Sequence, residues 1–197
     1  MKLVSITEKE KEWVKGKSNL IYALLFVATA YVGVKQVIVP TWQSLIDVVN
    51  FGIHELGHPI FSLFGNFMHA LGGTISEIGV PLAVVFILYE QRMYFASAMA
   101  SIWLTTALYS VSVYASDAQA RELPLSSIYG EVDSSAHDWH YMLSEIGWLE
   151  QAQLVGQIFA VFGIIAAVYG IYRGGALLNL IFRENHKDER EKATPTD

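Results

Sequence analysis

The string His54-Glu55-Leu56-Gly57-His58 sets two imidazoles four residues apart with a carboxylate beside the first. On a helix, residues four apart share a face, so both rings can point at one cation while Glu55, one step around, reaches a water beside it. That spacing suits metal-assisted hydrolysis. The ion lowers the pKa of a water from about 15.7 to about 7 and polarises a carbonyl, and the carboxylate moves the proton from water to leaving group. The chain has no Cys, so any metal must be held by His, Asp or Glu; disulfide frameworks, Cys-ligated zinc, iron–sulfur clusters and thiol catalysis are excluded.

Two His do not complete a catalytic zinc site, which usually has three protein ligands and one open position. The longer HExxHxxGxxH pattern would add a third His locally, but Phe61 and Phe64 stand where it needs Gly and His. The third ligand must come from elsewhere, and the candidates are His137, Asp117, Asp138, Glu77, His69 and His140. His137 ranks first and Asp117, at the exit of an apolar run, second. Asp138 is a rival ligand or a group that orients one. The His137-Asp138-Trp139-His140 string also reads as a helix start capped by Asp138, with Trp139, Met142, Leu143, Ile146 and Leu149 on one apolar face.

The helix carrying the motif has a polar stripe of Asp47, Asn50, His54, His58, Ser62, Asn66 and His69, spaced three or four apart, with apolar residues on its other faces. At membrane depth such a stripe must face a protein interior or a wet cavity, because an ionisable group facing lipid costs about 2.5 kcal/mol or more. A hydrogen-bonded seam between helices accounts for Asn50, Ser62 and Asn66; metal ligation accounts better for His54 and His58. Pro59 deprives the Glu55 carbonyl of its helical partner, which predicts a kink or stop, and Gly65, Gly72 and Gly73 offer places to turn.

The remaining elements are spans. Leu20 to Val39 holds only Lys35 as a charge, Met93 to Ala115 and Leu154 to Tyr172 hold none, and Thr74 to Tyr89 is a shorter fourth run with Glu77 near its start. With 53% apolar and 16% charged residues, against roughly 25% charged in soluble domains, the expected fold is all-α and polytopic. It comprises about four transmembrane helices plus a re-entrant or partly inserted HExxH helix. Basic residues favour that count over five crossings. If residues 41–65 do not cross, Lys2, Lys9, Lys11, Lys15, Lys17, Arg92, Arg173, Arg183, Lys187, Arg190 and Lys192 all face the cytoplasm.

This topology makes residues 1–182 one membrane domain. Its outer loop, 116–150, carries seven acidic residues and one Arg, and residues 183–197 form a charged cytoplasmic tail, solvated and partly disordered from Glu184. Ala28-Thr-Ala30 after a basic start resembles a signal-peptidase site, yet the apolar run continues for nine residues, so an uncleaved anchor is expected. The formal charge of −6, with basic residues gathered mostly at the two ends, speaks against nucleic-acid partners. No GxSxG nucleophile elbow occurs, the HxxxH spacing does not recur as di-iron histidine boxes require, and two His on one helix face cannot sandwich a haem.

On Asn50 to Gly65 the chain resembles membrane-embedded metalloproteases of the site-2 protease type. The resemblance implies His54 and His58 as Zn2+ ligands and Glu55 as catalytic base. No Asp-Gly dipeptide, the source of that family's Asp ligand, occurs here. A wider pattern of HELGH, Leu71-Gly-Gly73, Asp117-Ala-Gln-Ala, Leu123-Pro-Leu125 and His137-Asp-Trp139 is similar to a group of uncharacterised bacterial membrane proteins, which implies the bacterial cytoplasmic membrane and names no substrate. The expected function is a zinc-dependent hydrolase in the lipid bilayer that cleaves a peptide or membrane-protein substrate near the outer face, or a lipid. The alternative is a metal-binding or metal-handling membrane protein without hydrolysis, its acidic outer loop attracting cations.

Overall fold

Alternating small and apolar side chains without a charge make Tyr94–Ser116 the axis of the molecule: most of this helix is buried, whereas the long helices around it keep broad apolar faces exposed. The computed structural model describes residues 6–123, 126–127, 130–131 and 137–193. In chain order the helices are α1 (Glu8–Trp13), α2 (Asn19–Ile38), α3 (Leu45–Phe61), α4 (Asn66–Glu90), α5 (Tyr94–Ser116), α6 (Asp138–Glu145) and α7 (Ala152–Ala193). A two-residue antiparallel pairing of Ser126–Ser127 (β1) with Gly130–Glu131 (β2) is the one sheet contact among the described residues. The protein is all-α and polytopic, with four helices, α2, α4, α5 and α7, long and apolar enough to cross a membrane.

Helix α7 packs along α5 through glycines seven residues apart, a spacing of about two turns that keeps them on one face. Gly156 meets Ser112 and Ser116, Gly163 meets Tyr109, and Gly170 meets Ala98 and Ile102. Without side chains at these points the two backbones approach closely, the usual basis of helix association in lipid. The Ser112 hydroxyl donates to the Gly156 carbonyl at 2.7 Å, fixing the register.

Contacts along α5 trace the course of the chain. In α2, Tyr22 meets Phe95 edge-on and Gly33 abuts Ile102; in α3, Asn50 bonds Trp103 and Thr106, and the His54 ring lies 5.9 Å from Tyr114. The order on α5 rises throughout, so α3 continues in the direction of α2 instead of reversing it. Helix α3 begins with a capping box between Ser44 and Asp47 and runs through Pro59 to Phe61, two residues beyond the expected break. It ends in a 3-10 turn, Ser62–Phe64, and Gly65 at φ +96 reverses the chain into α4, a conformation glycine adopts without strain.

Gly72 and Gly73, expected to make turns, lie inside α4 and serve close packing instead. Helix α1 packs beside the later half of α7 at the end of the bundle where α5 begins. Trp13, Tyr22, Tyr94, Phe95 and Leu177 form one cluster, Asn185 donates to the Lys17 carbonyl, and the buried Arg173 guanidinium pairs with the buried Glu10 carboxylate. Arg173, counted above among the basic residues facing the cytoplasm, is a buried partner of α1. The tail expected to be irregular continues α7 as far as Ala193; residues 194–197 lie outside the described residues, as do Pro124 and Leu125 of the Leu-Pro-Leu string.

The bland reading of Asn50 holds. It is fully buried, its amide donates to the Thr106 hydroxyl at 3.0 Å, and its carbonyl oxygen accepts from the Trp103 indole at 2.7 Å. Replacing Asn50 with Leu leaves the indole N–H without its acceptor and should cost about 1 to 2 kcal/mol. The check is thermal unfolding in detergent, with a lowered midpoint and unchanged metal content expected.

Candidate metal centre

The site lies at the end of α5 opposite α1, where α3, α4 and α6 meet. Close contact of α3 and α4 brings Glu77 against the first motif histidine: the His54 Nδ1–H donates to Glu77 Oε2 at 2.8 Å, with both groups buried. Glu77, a candidate ligand by sequence, thus stands behind the ring, and in the neutral ring Nε2 turns its lone pair inward. The second histidine is fixed by a different device. His58 Nδ1–H donates to the His69 carbonyl at 2.8 Å, and His69 Nδ1–H returns a bond to the His58 carbonyl at 3.0 Å, clasping the α3–α4 turn. A carbonyl can only accept, so in the neutral ring His58 Nε2 also carries a lone pair.

Both Nε2 atoms face the same oxygen. Asp138 Oδ2 lies 3.4 Å from His54 Nε2 and 3.5 Å from His58 Nε2. The arrangement can be held together in two ways: with His54 protonated, its Nε2–H donates to Asp138, and with both rings neutral, two nitrogens and one oxygen turn lone pairs towards a shared cation. The spacing also has a meaning: for bonds of about 2.0 to 2.1 Å the edge of a tetrahedron is about 3.3 to 3.4 Å, so the two nitrogen–oxygen distances match two edges around one ion of zinc's size. The Glu55 carboxylate forms a cluster with His54 and His58, its ligand-capable oxygen within 4.8 Å of theirs, and is partly exposed. Gly73 makes room for the ring, since a Cβ there would fall 2.5 Å from His54 Nε2.

The chain matches no known protein family, no curated protein and no solved structure. The site's meaning therefore rests on its own chemistry.

Of the sequence candidates, the structure brings Asp138, not His137, to the histidine pair. His137 is fully buried, caps α6 by accepting the His140 N–H on Nδ1 at 3.2 Å, and turns Nε2 towards Asp117 Oδ2, 3.4 Å away. The cap of α6 is thus His137, with Asp138 as the first helical residue, where its side chain is free to reach inward. Burial pushes the His137 imidazole below its usual range, against the pull of Asp117, and so keeps Nδ1 available as an acceptor. Asp117 is occupied too, accepting from the Glu122 and Leu123 amides at 2.9 and 3.1 Å. His140 Nδ1–H donates to the Ala118 carbonyl at 2.8 Å.

One residue at the site went unread. Tyr114 accepts the Asp138 N–H at 3.0 Å and places its own hydroxyl 3.3 Å from Asp138 Oδ2. A tyrosine near the exit of an apolar span carries no spacing signal, and only the fold reveals its partner.

Proposed function

We propose that this protein is a membrane-embedded, metal-dependent hydrolase in which His54, His58 and Asp138 hold a zinc ion and Glu55 is the general base. The observation that carries the reading is that one carboxylate oxygen, Asp138 Oδ2, lies 3.4 and 3.5 Å from the Nε2 atoms of the two motif histidines, whose Nδ1 atoms are bonded elsewhere. When bound, the ion supplies a polarised carbonyl and a water acidic enough to attack at neutral pH. Glu55 removes the proton from the attacking water and delivers it to the leaving group. Glu77 and the His69 carbonyl hold the two rings in the ligating tautomer, and Tyr114 holds the carboxylate.

The likeness of the motif to site-2 protease helices favours a peptide or membrane-protein substrate. The basic residues of α1 and of the end of α7 favour a cytoplasmic location for both termini, in a bacterial cytoplasmic membrane. That orientation puts the metal centre near the outer face. Detergent-purified protein should contain about one zinc per chain by elemental mass spectrometry, and His58→Ala should contain little.

Because histidine ligates only when deprotonated, zinc affinity should fall as pH falls through the histidine range, by up to about tenfold per pH unit for each proton displaced. Competition with a chromophoric chelator measures this. Equal metal in wild type and His58→Ala, or an affinity independent of pH, would remove the site from consideration.

A further inference from the structure

The His137-Asp138-Trp139-His140 string and Asp117 stood out in the sequence, and a ligand search uses only Asp138. The structure gives each of the others a partner. His137 faces Asp117, Trp139 packs edge-on against Phe159 of α7, and His140 bonds the Ala118 carbonyl. The Tyr114 ring stacks on His137, centroids 4.3 Å apart at 28°, while its hydroxyl is bonded to both the backbone N–H and the carboxylate of Asp138. Three of the four consecutive residues are therefore gripped by Tyr114, Asp117 and Ala118 at the last turn and exit of α5, and the fourth, Trp139, by α7. The carboxylate they present comes from outside the α3–α4 hairpin that holds both histidines.

We propose that the exit of α5 is a socket that positions Asp138 as a metal ligand, with His137 anchoring the start of α6 and Tyr114 aiming the carboxylate. This rests on the reading of Asp138 as third ligand. Neither His137 nor Tyr114 is a catalytic residue in this scheme; both act through Asp138. The two roles separate by chemistry. Removing the Tyr114 hydroxyl frees the carboxylate to rotate without disturbing the stacked ring, whereas removing the His137 ring takes the acceptor from the His140 amide and loosens the first turn of α6. An Asn at 137 is a good cap and should restore that turn.

The test uses the full-length protein in detergent with Co2+ as the probe, read by its visible absorption and by competition with a chelator. Amide hydrogen exchange of the metal-free protein is followed over residues 138–145. Tyr114→Phe should speed exchange at the Asp138 amide alone and leave residues 139–145 unchanged, weaken Co2+ about ten- to a hundredfold, as loss of a supporting group around a metal ligand typically does, and alter the spectrum. His137→Ala should speed exchange in the first turn and weaken Co2+; His137→Asn should restore both.

If wild type binds Co2+ and Asp138→Ala does not, yet Tyr114→Phe and His137→Ala bind with wild-type affinity and spectrum, the socket is overturned while the metal site stands. If Asp138→Ala binds as wild type does, the ligand assignment and the socket fall together.

Discussion

Glu55→Gln should keep the metal and lose the chemistry. The change is nearly isosteric, leaves His54, His58 and Asp138 in place, and removes only the group able to take a proton, so zinc content should match wild type. Loss of a positioned general base typically lowers turnover about 10²- to 10⁴-fold. The measurement is made on membranes in which wild type, Glu55→Gln or His54→Ala is expressed, with new peptide termini labelled and identified by mass spectrometry. Termini present with wild type and missing from both variants support hydrolysis. If the role of the site is metal handling alone, His54→Ala abolishes it and Glu55→Gln has no effect. Activity that survives in Glu55→Gln rejects the mechanism whatever the zinc content.

The sequence made the chemistry-bearing helix and the spans legible because both depend on local patterns: spacing of four on one face, and runs of about 20 apolar residues. It ranked His137 first in the four-residue string, with Asp138 as a rival, and the structure brings Asp138 to the histidine pair. His137 and Asp138 differ by one position. Which of them faces the histidines depends on which one caps α6, and that choice is made by tertiary partners: Asp117 and Tyr114 draw the His137 ring into the protein and free the Asp138 carboxylate.

Arg173 shows the same limit, since a lone charge after an apolar run reads as the end of a span until Glu10 is seen beside it. Gly72 and Gly73 were read as turn residues from their backbone freedom, although the property the fold uses is their missing side chain. The seven-residue spacing of Gly156, Gly163 and Gly170 is visible in the sequence as a packing face, but it identifies no partner helix.

Two neighbouring glycine substitutions should separate packing from ligation, and Gly57→Ala should be the more damaging to the fold. A Cβ at Gly57 overlaps the carbonyl oxygen of Gly72 and comes within 2.6 Å of Ser76 Oγ. The first of these is backbone and cannot rotate away, so α3 and α4 must separate along the surface that holds His54 against Glu77. Overpacking of this kind costs about 3 kcal/mol or more when backbone has to move, which in a chain of this length corresponds to a fall in melting midpoint on the order of 10 °C.

At Gly73 the three atoms nearest the added Cβ all belong to the His54 ring, with Nε2 at 2.5 Å and the two carbons beside it at 2.7 Å. The ring can swing aside, so the melting midpoint of Gly73→Ala should stay within a few degrees of wild type on the same scale. Swinging takes Nε2 out of its corner, so metal affinity should fall at least about tenfold, as for a ligand that has lost its orientation. Melting of both variants with and without Zn2+ decides the matter: Gly57→Ala should melt low in either condition, and Gly73→Ala should lose only the increment that Zn2+ adds to wild type. If Zn2+ stabilises Gly73→Ala as much as wild type, the ion is not held by His54 Nε2.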